Sequence, residues 1–76
     1  MTPNNVIANL NREVRYIGND RPELKNKPFT FAGATIRRKT DSHGNQGPPF
    51  YQAELIEHGS RTIYITNLKD IETIEE

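Results

Sequence analysis

The residue types best suited to chemistry sit together in the middle of the chain. Asp41-Ser42-His43 places a carboxylate, a hydroxyl and an imidazole in consecutive positions, the groups from which an activated nucleophile is built. Neighbours in a Gly/Pro-rich stretch are not held within hydrogen-bonding reach of one another without supporting contacts, so this run reads as loop. His43 and His58 could begin a metal site, yet they fall on separate loops with no clear third ligand among the ordered segments. Two surface histidines and no metal are expected. Gly44-Asn45-Gln46-Gly47 lacks the Lys-Ser/Thr pair and following helix that a phosphate loop requires, and it reads as a loop tip. No catalytic residue and no cofactor is expected, and the chain is read as a non-enzyme.

The other chemistry on offer is charge. Met1 to Lys39 carries eight Lys/Arg against three Asp/Glu, and Thr40 to Glu76 two against seven, so the halves stand at +5 and −5 and sum to zero. Arg37-Arg38-Lys39 is the densest run; in a strand Arg37 and Lys39 share one face and Arg38 takes the other. Joined by Arg15, Lys25 and Lys27, these residues would form a basic stripe able to contact phosphates, with Phe50 or Tyr64 as a stacking platform for bases. Two considerations oppose that reading. Overall neutrality gives little general attraction to a polyanion, and Arg37 and Lys39 could pair across the sheet with Glu54 or Glu57, where each exposed pair contributes only about 0.2–1 kcal/mol.

These side chains depend on a small framework. A domain of 76 residues buries only about 60% of the surface its unfolded chain exposes, so one thin core in a single domain, residues 1–76, is expected. The absence of cysteine removes disulfides and Cys-based zinc as staples and suits a reducing compartment. The N-terminus shows no continuous apolar run of a signal peptide, and no segment approaches the roughly 20 apolar residues of a membrane span. A cytoplasmic protein with no membrane association is expected.

Thr2-Pro3 is a plausible N-cap and first-turn pair, and Val6, Ile7 and Leu10 recur at helical spacing. A short helix over residues 3–11 follows, lying on the open end of a sheet because it cannot stand alone; residues 1–12 form this N-terminal segment. From Glu13 the pattern alternates, with Val14 and Tyr16 on one side, and ends at the turn residues Gly18-Asn19-Asp20. Residues 18–28 read as an excursion loop pinned by Leu24 alone. A long strand then starts at Pro28, in which Phe29 and Phe31 have odd parity and Ile36 even, so a bulge is expected at Gly33. Residues 40–49 hold no large apolar side chain and read as a mobile loop.

The strand that follows places Tyr51, Ala53 and Leu55 on one face, and after His58-Gly59-Ser60 a further strand runs through Thr62 to Ile65. If Leu55 and Ile63 both point inward they lie opposite each other, with Ala53 opposite Ile65 and residues 58–60 as a three-residue connection, Gly59 or Ser60 being left-handed. A two-residue turn would put Ile63 beside Ile56 instead. In the first register the interior holds Val14, Phe29, Phe31, Leu55, Ile63 and Ile65. Ile17, Phe50, Ile56 and Tyr64 then face outward as one apolar, protein-binding patch rimmed by charge. The stretch Phe50 to Glu57 is expected to be an exposed strand edge open to self-pairing or peptide addition. Asn67-Leu68-Lys69-Asp70 looks like a single helical turn capped by Asn67, followed by a last strand over residues 71–74, with Glu75 and Glu76 fraying.

Strand, long loop, long bent strand, loop, hairpin, one helical turn and short final strand resemble, in that order, an SH3-like small β-barrel over residues 13–74. The resemblance implies a mainly β fold: a five-stranded SH3-like antiparallel barrel with a short N-terminal helix and a single helical turn before the last strand. It carries no diagnostic motif. The chain has no tryptophan for the aromatic groove with which peptide-binding SH3 domains take polyproline. Lys25-Asn26-Lys27-Pro28 lacks both glycines of the Gly-Lys-x-Gly turn in KOW-type relatives, and Tyr16, Phe50, Tyr51 and Tyr64 are the only candidates for a Tudor-like cage. The function expected is a non-catalytic protein–protein adaptor or regulator with another protein as partner. The alternative is a nucleic-acid-binding domain of KOW or Tudor type that uses the basic stripe.

Overall fold

The computed structural model describes residues 1–74. Strands β1 (Glu13–Tyr16), β2 (Phe29–Arg37), β3 (Phe50–Glu57), β4 (Ile63–Asn67) and β5 (Ile71–Thr73) form one antiparallel sheet in the order β4-β3-β2-β1-β5. A 3-10 turn over Pro3–Asn5 leads into a short helix, α1 (Val6–Asn9), and a single helical turn over Leu68–Asp70 precedes β5. The fold is mainly β, with the elements in the expected order. The sheet is open: β4 pairs with β3 and β5 with β1, and these two end strands do not pair with each other.

The alternation in β1 buries Val14 and Tyr16, as expected. Its amide ladder begins earlier than the strand, because the Asn11 N–H donates to Phe31 O at 2.7 Å and the Phe31 N–H to Arg12 O at 2.9 Å. Helix α1 therefore stops at Asn9 rather than running to residue 11. Leu10 is already extended at ψ 135° and Asn11 is left-handed at φ 65°, which turns the chain into the sheet. The stripe expected on the helix is only partly used: Val6 and Met1 pack against the core, whereas Ile7 stays 85% exposed. Thr2 occupies the capping position without a side-chain hydrogen bond, and so does Asn67 before the turn at Leu68.

In β2 the register shifts between Phe31, which faces Leu55, and Gly33, which faces Glu54. The extra residue of the bulge is thus Ala32 rather than Gly33. Its insertion returns Ala34 to the core side while Phe29 and Phe31 remain fully buried. Leu24 is fully buried at the end of a 3-10 turn over Pro22–Leu24, so one leucine does pin the 18–28 loop. Gly18 leaves room there for two side-chain ends: a Cβ would lie 2.6 Å from the Tyr16 hydroxyl and 2.6 Å from the Asp70 carboxyl carbon, so one of them would have to shift.

The β3–β4 hairpin differs from expectation. Ile56 faces Ile63, Leu55 faces Tyr64, Glu54 faces Ile65 and Ala53 faces Thr66, so Tyr64 and Thr66 turn inward while Ile63 and Ile65 turn out, 60% and 51% exposed. The connection spans residues 58–61, with the Glu57 N–H donating to Thr62 O at 2.9 Å and with Gly59 and Arg61 both left-handed. That is one residue longer than expected, and a slip of one residue exchanges the faces of a strand. Tyr64 replaces the two isoleucines inside, its ring meeting Phe29 edge-on at 5.8 Å and 75°. Strand β3 is not an edge, being paired with β2 on one side and β4 on the other.

The core therefore comprises Val14, Tyr16, Leu24, Phe29, Phe31, Ala53, Leu55, Leu68 and Ile71. β4 and the residue before it cover β3 from Gln52 to Glu57, and β1 with the two residues before it meets β2 from Phe29 to Phe31. Ala34 and Tyr51 still pack against that core, and past them the end of β2 and the 40–49 loop run on as an arm, along a molecule 45 Å in its longest dimension. The 40–49 loop at the tip of the arm is built rather than loose: Thr40 bridges Gln46, and the Gly47 N–H donates to Lys39 O at 2.8 Å.

Candidate functional site

Asp41 does not address His43 as a catalytic partner. Its carboxylate Oδ1 accepts the backbone N–H groups of His43 and Asn45, both at 2.9 Å. These two donors, Asn45 first, hold the Asp41 carboxyl below the usual aspartate range because they favour its charged form. The imidazole of His58 is exposed; Nε2 lies 2.9 Å from the Thr30 hydroxyl and Nδ1 3.7 Å from a Glu13 oxygen, so it does not sit buried beside Glu57. No group of three or more His, Cys, Asp or Glu gathers for a metal among the described residues.

The six basic residues are distributed rather than aligned. Arg15 pairs with Glu72, its direct neighbour on β5. Lys27 reaches Glu57 at 3.3 Å and Lys25 reaches the Asn19 side chain at 3.2 Å. Glu57 is held below the ordinary glutamate range by the Ser60 hydroxyl first and by Lys27 second. It is therefore Lys27, not Arg37 or Lys39, that occupies this carboxylate. Arg38 donates to the Gln46 side chain at 3.1 Å, and Arg37, Arg38 and Lys39 make no ion pair among the described residues. Arg37 ends a strand whose other end lies beside β1. Eight strand steps span roughly 26 Å, which separates the triplet from Arg15.

The four apolar residues expected to form one patch are likewise placed apart. Tyr64 packs inward, as described, with its hydroxyl 3.5 Å from Glu57. Ile17 is 47% exposed just past β1, its N–H donating to Asp70 O at 2.7 Å. Phe50 lies six residues along β3 from Ile56, roughly 20 Å, and lines a cleft with Met1, Pro3, Tyr51 and Leu68. Ile56 alone occupies the middle of the outer face, and its neighbours there are Thr30 on β2 and Ile63 on β4.

What gathers around Ile56 is an aliphatic group that the expected register had placed inside: Ile63 opposite it and Ile65 two residues along the same strand. Sequence pattern is ambiguous here, since Thr62-Ile63-Tyr64-Ile65-Thr66 offers large side chains at both parities. The length of the 58–61 turn selects between them. Beside this group stands Arg21, from the 18–28 loop. Its backbone N–H donates to the Tyr16 hydroxyl at 3.1 Å, its guanidinium lies 5.8 Å from the Tyr64 ring centroid, and its Nη1 donates to Ile65 O at 3.4 Å. The site thus consists of an exposed isoleucine face on β3 and β4, bordered on the β4 side by one arginine.

Compared with known proteins, the chain matches no family model, no curated protein and no solved structure. No helix among the described residues is long and apolar enough to cross a membrane.

Proposed function

We propose that this chain is a non-catalytic binding module of SH3-like fold that docks onto another protein through the outer face of β3 and β4, centred on Ile56, Ile63 and Ile65. The strand order β4-β3-β2-β1-β5 and the helical turn before β5 support the SH3-like reading. The observation that carries the function is the pair of isoleucines more than half exposed beside Ile56, since a contiguous group of exposed apolar side chains marks an interaction site whereas scattered single ones do not. The non-catalytic reading draws on the use of the Asp41 carboxylate by its own loop. The compartment proposed is the cytoplasm, to which a chain without cysteine is suited.

The test is site-specific photo-cross-linking in cells with the reactive group at position 63, and at exposed Arg12 as control. A discrete adduct from position 63, lost on Ile56→Asp, supports the reading. Equal labelling from both positions overturns it.

A second reading, nucleic-acid binding, draws on Arg37, Arg38 and Lys39, which follow one another at the end of β2 and make no ion pair among the described residues. An amide NMR titration with short DNA and RNA at about 50 mM salt, where exposed charges still act, tests it. Salt-sensitive shifts confined to the arm support it, and an unchanged spectrum removes it.

A further inference from the structure

The two ends of the sheet are not alike. β5 is three residues long and carries Glu72, and short, charged strands of this kind discourage further pairing. β4 is five residues, Ile-Tyr-Ile-Thr-Asn, with neither a charge nor a proline. Its hydrogen-bonding groups can be assigned from the hairpin. Because the Glu57 N–H donates to Thr62 O, Thr62 belongs to a hydrogen-bonded pair, and in an antiparallel ladder such pairs alternate. Tyr64 and Thr66 therefore bond to Leu55 and Ala53, while the N–H and C=O groups of Ile63 and Ile65 point to the open side. The position of Arg21 agrees: its Nη1 approaches Ile65 O from that side, at 3.4 Å. That contact is long, and Arg21 also serves Glu23 at 3.0 Å.

We infer that β4 is a pairing edge for a second copy of this chain, with Arg21 as its removable cap. A two-fold axis through Tyr64 sets Ile63 of one copy opposite Ile65 of the other. Both residues present their free backbone groups on that side, so the two strands exchange four hydrogen bonds. Side chains of directly opposed residues share a face, so the exposed isoleucines of both copies meet on the outer surface. A second copy is the occupant because the strand is self-complementary about that axis and the chain carries zero net charge, leaving no overall repulsion between copies. The contact is small beside the roughly 1,200–2,000 Å² of stable interfaces, so the dimer is weak and reversible. The backbone edge makes the pairing and the isoleucines of the two copies add contact on the outer surface; the inference does not rest on the docking partner proposed above.

Hydrogen exchange and sedimentation velocity on the whole chain, from about 10 μM to about 1 mM, test it together. The expected result is a concentration-dependent dimer in which the Ile63 and Ile65 amides gain protection while those of Tyr64 and Thr66, already bonded to β3, change little. Arg21→Ala is expected to tighten the dimer about two- to fivefold, the range for an exposed charged contact. Ile65→Lys, at a position already half exposed, is expected to remain folded and monomeric. A dimer that leaves the Ile63 and Ile65 amides unprotected, or one that survives Ile65→Lys, overturns the inference. So does a monomer at every concentration for both the unaltered chain and Arg21→Ala, including one whose β4 edge pairs only with an added extended peptide.

Discussion

Two residues show how local chemistry sets the loops. Gly18 is held against the Tyr16 hydroxyl and the Asp70 carboxylate, where a methyl group would stand at 2.6 Å. Gly18→Ala is expected to cost about 1–3 kcal/mol through overpacking, seen as a lower urea midpoint. Asp41 organises the tip of the arm by accepting two backbone N–H groups, and its carboxyl is held below the ordinary range. A depressed carboxylate contributes stability above its unfolded value, about 3.9, and that contribution is lost as the pH falls through its lower folded value. The His43 and Asn45 amide shifts are therefore expected to titrate together below pH ~4, and Asp41→Ala is expected to abolish that step. Neither role follows from composition. Gly18 reads as an ordinary turn residue and Asp41 as one polar residue of a loop, because only the folded chain reveals what surrounds each.

Among the elements, the hairpin is where expectation and structure part most clearly. Ile63 and Tyr64 compete for the interior, and a connection over residues 58–61 rather than 58–60 decides for Tyr64. The observed register makes a direct prediction. Tyr64→Ala removes the edge-on contact with Phe29 and is expected to cost about 2 kcal/mol, below the roughly 3–5 kcal/mol of a fully buried aromatic. Ile63→Thr is expected to stay within about 0.5 kcal/mol. Equilibrium unfolding of the two variants checks this, and the opposite ranking would restore the other register. β1, β2 and β3 were legible in the sequence because each alternates a clear apolar set with polar residues; even the bulge is implied by the parity change between Phe31 and Ile36. β4 was not, because its large residues occupy both parities.

For the molecule as a whole, the long 18–28 excursion is tied to the sheet through Leu24, whose side chain is fully enclosed. Leu24→Ala is expected to cost about 2–5 kcal/mol, a large share of the stability of so small a domain. It should lower the melting temperature of the whole sheet in one transition, as followed by circular dichroism. The opposite net charges of the chain's halves also find a physical use in the fold. Arg15 with Glu72 and Lys27 with Glu57 join the basic first half to the acidic second half across strand neighbours and loops. Such exposed pairs contribute little individually, but they remove Arg15 and Lys27 from any continuous basic stripe and leave the positive charge of the arm on its own.

Taken alone, the sequence determined what local periodicity and turn chemistry can encode: a mainly β chain, its element order, the pinning role of Leu24 and the burial of Val14, Phe29, Phe31 and Leu55. These hold because alternation, proline and glycine act within a few residues of themselves. The tertiary structure decided what depends on register and on partners distant in sequence: that Tyr64 lies inside and the isoleucines outside, that β3 is interior and β4 the edge, that the sheet stays open, and that Arg21 reaches the Ile65 carbonyl. A one-residue difference in a single turn exchanges the two faces of a strand, and no local pattern in Thr62 to Thr66 distinguishes them. The surface on which function is proposed was therefore set by that turn.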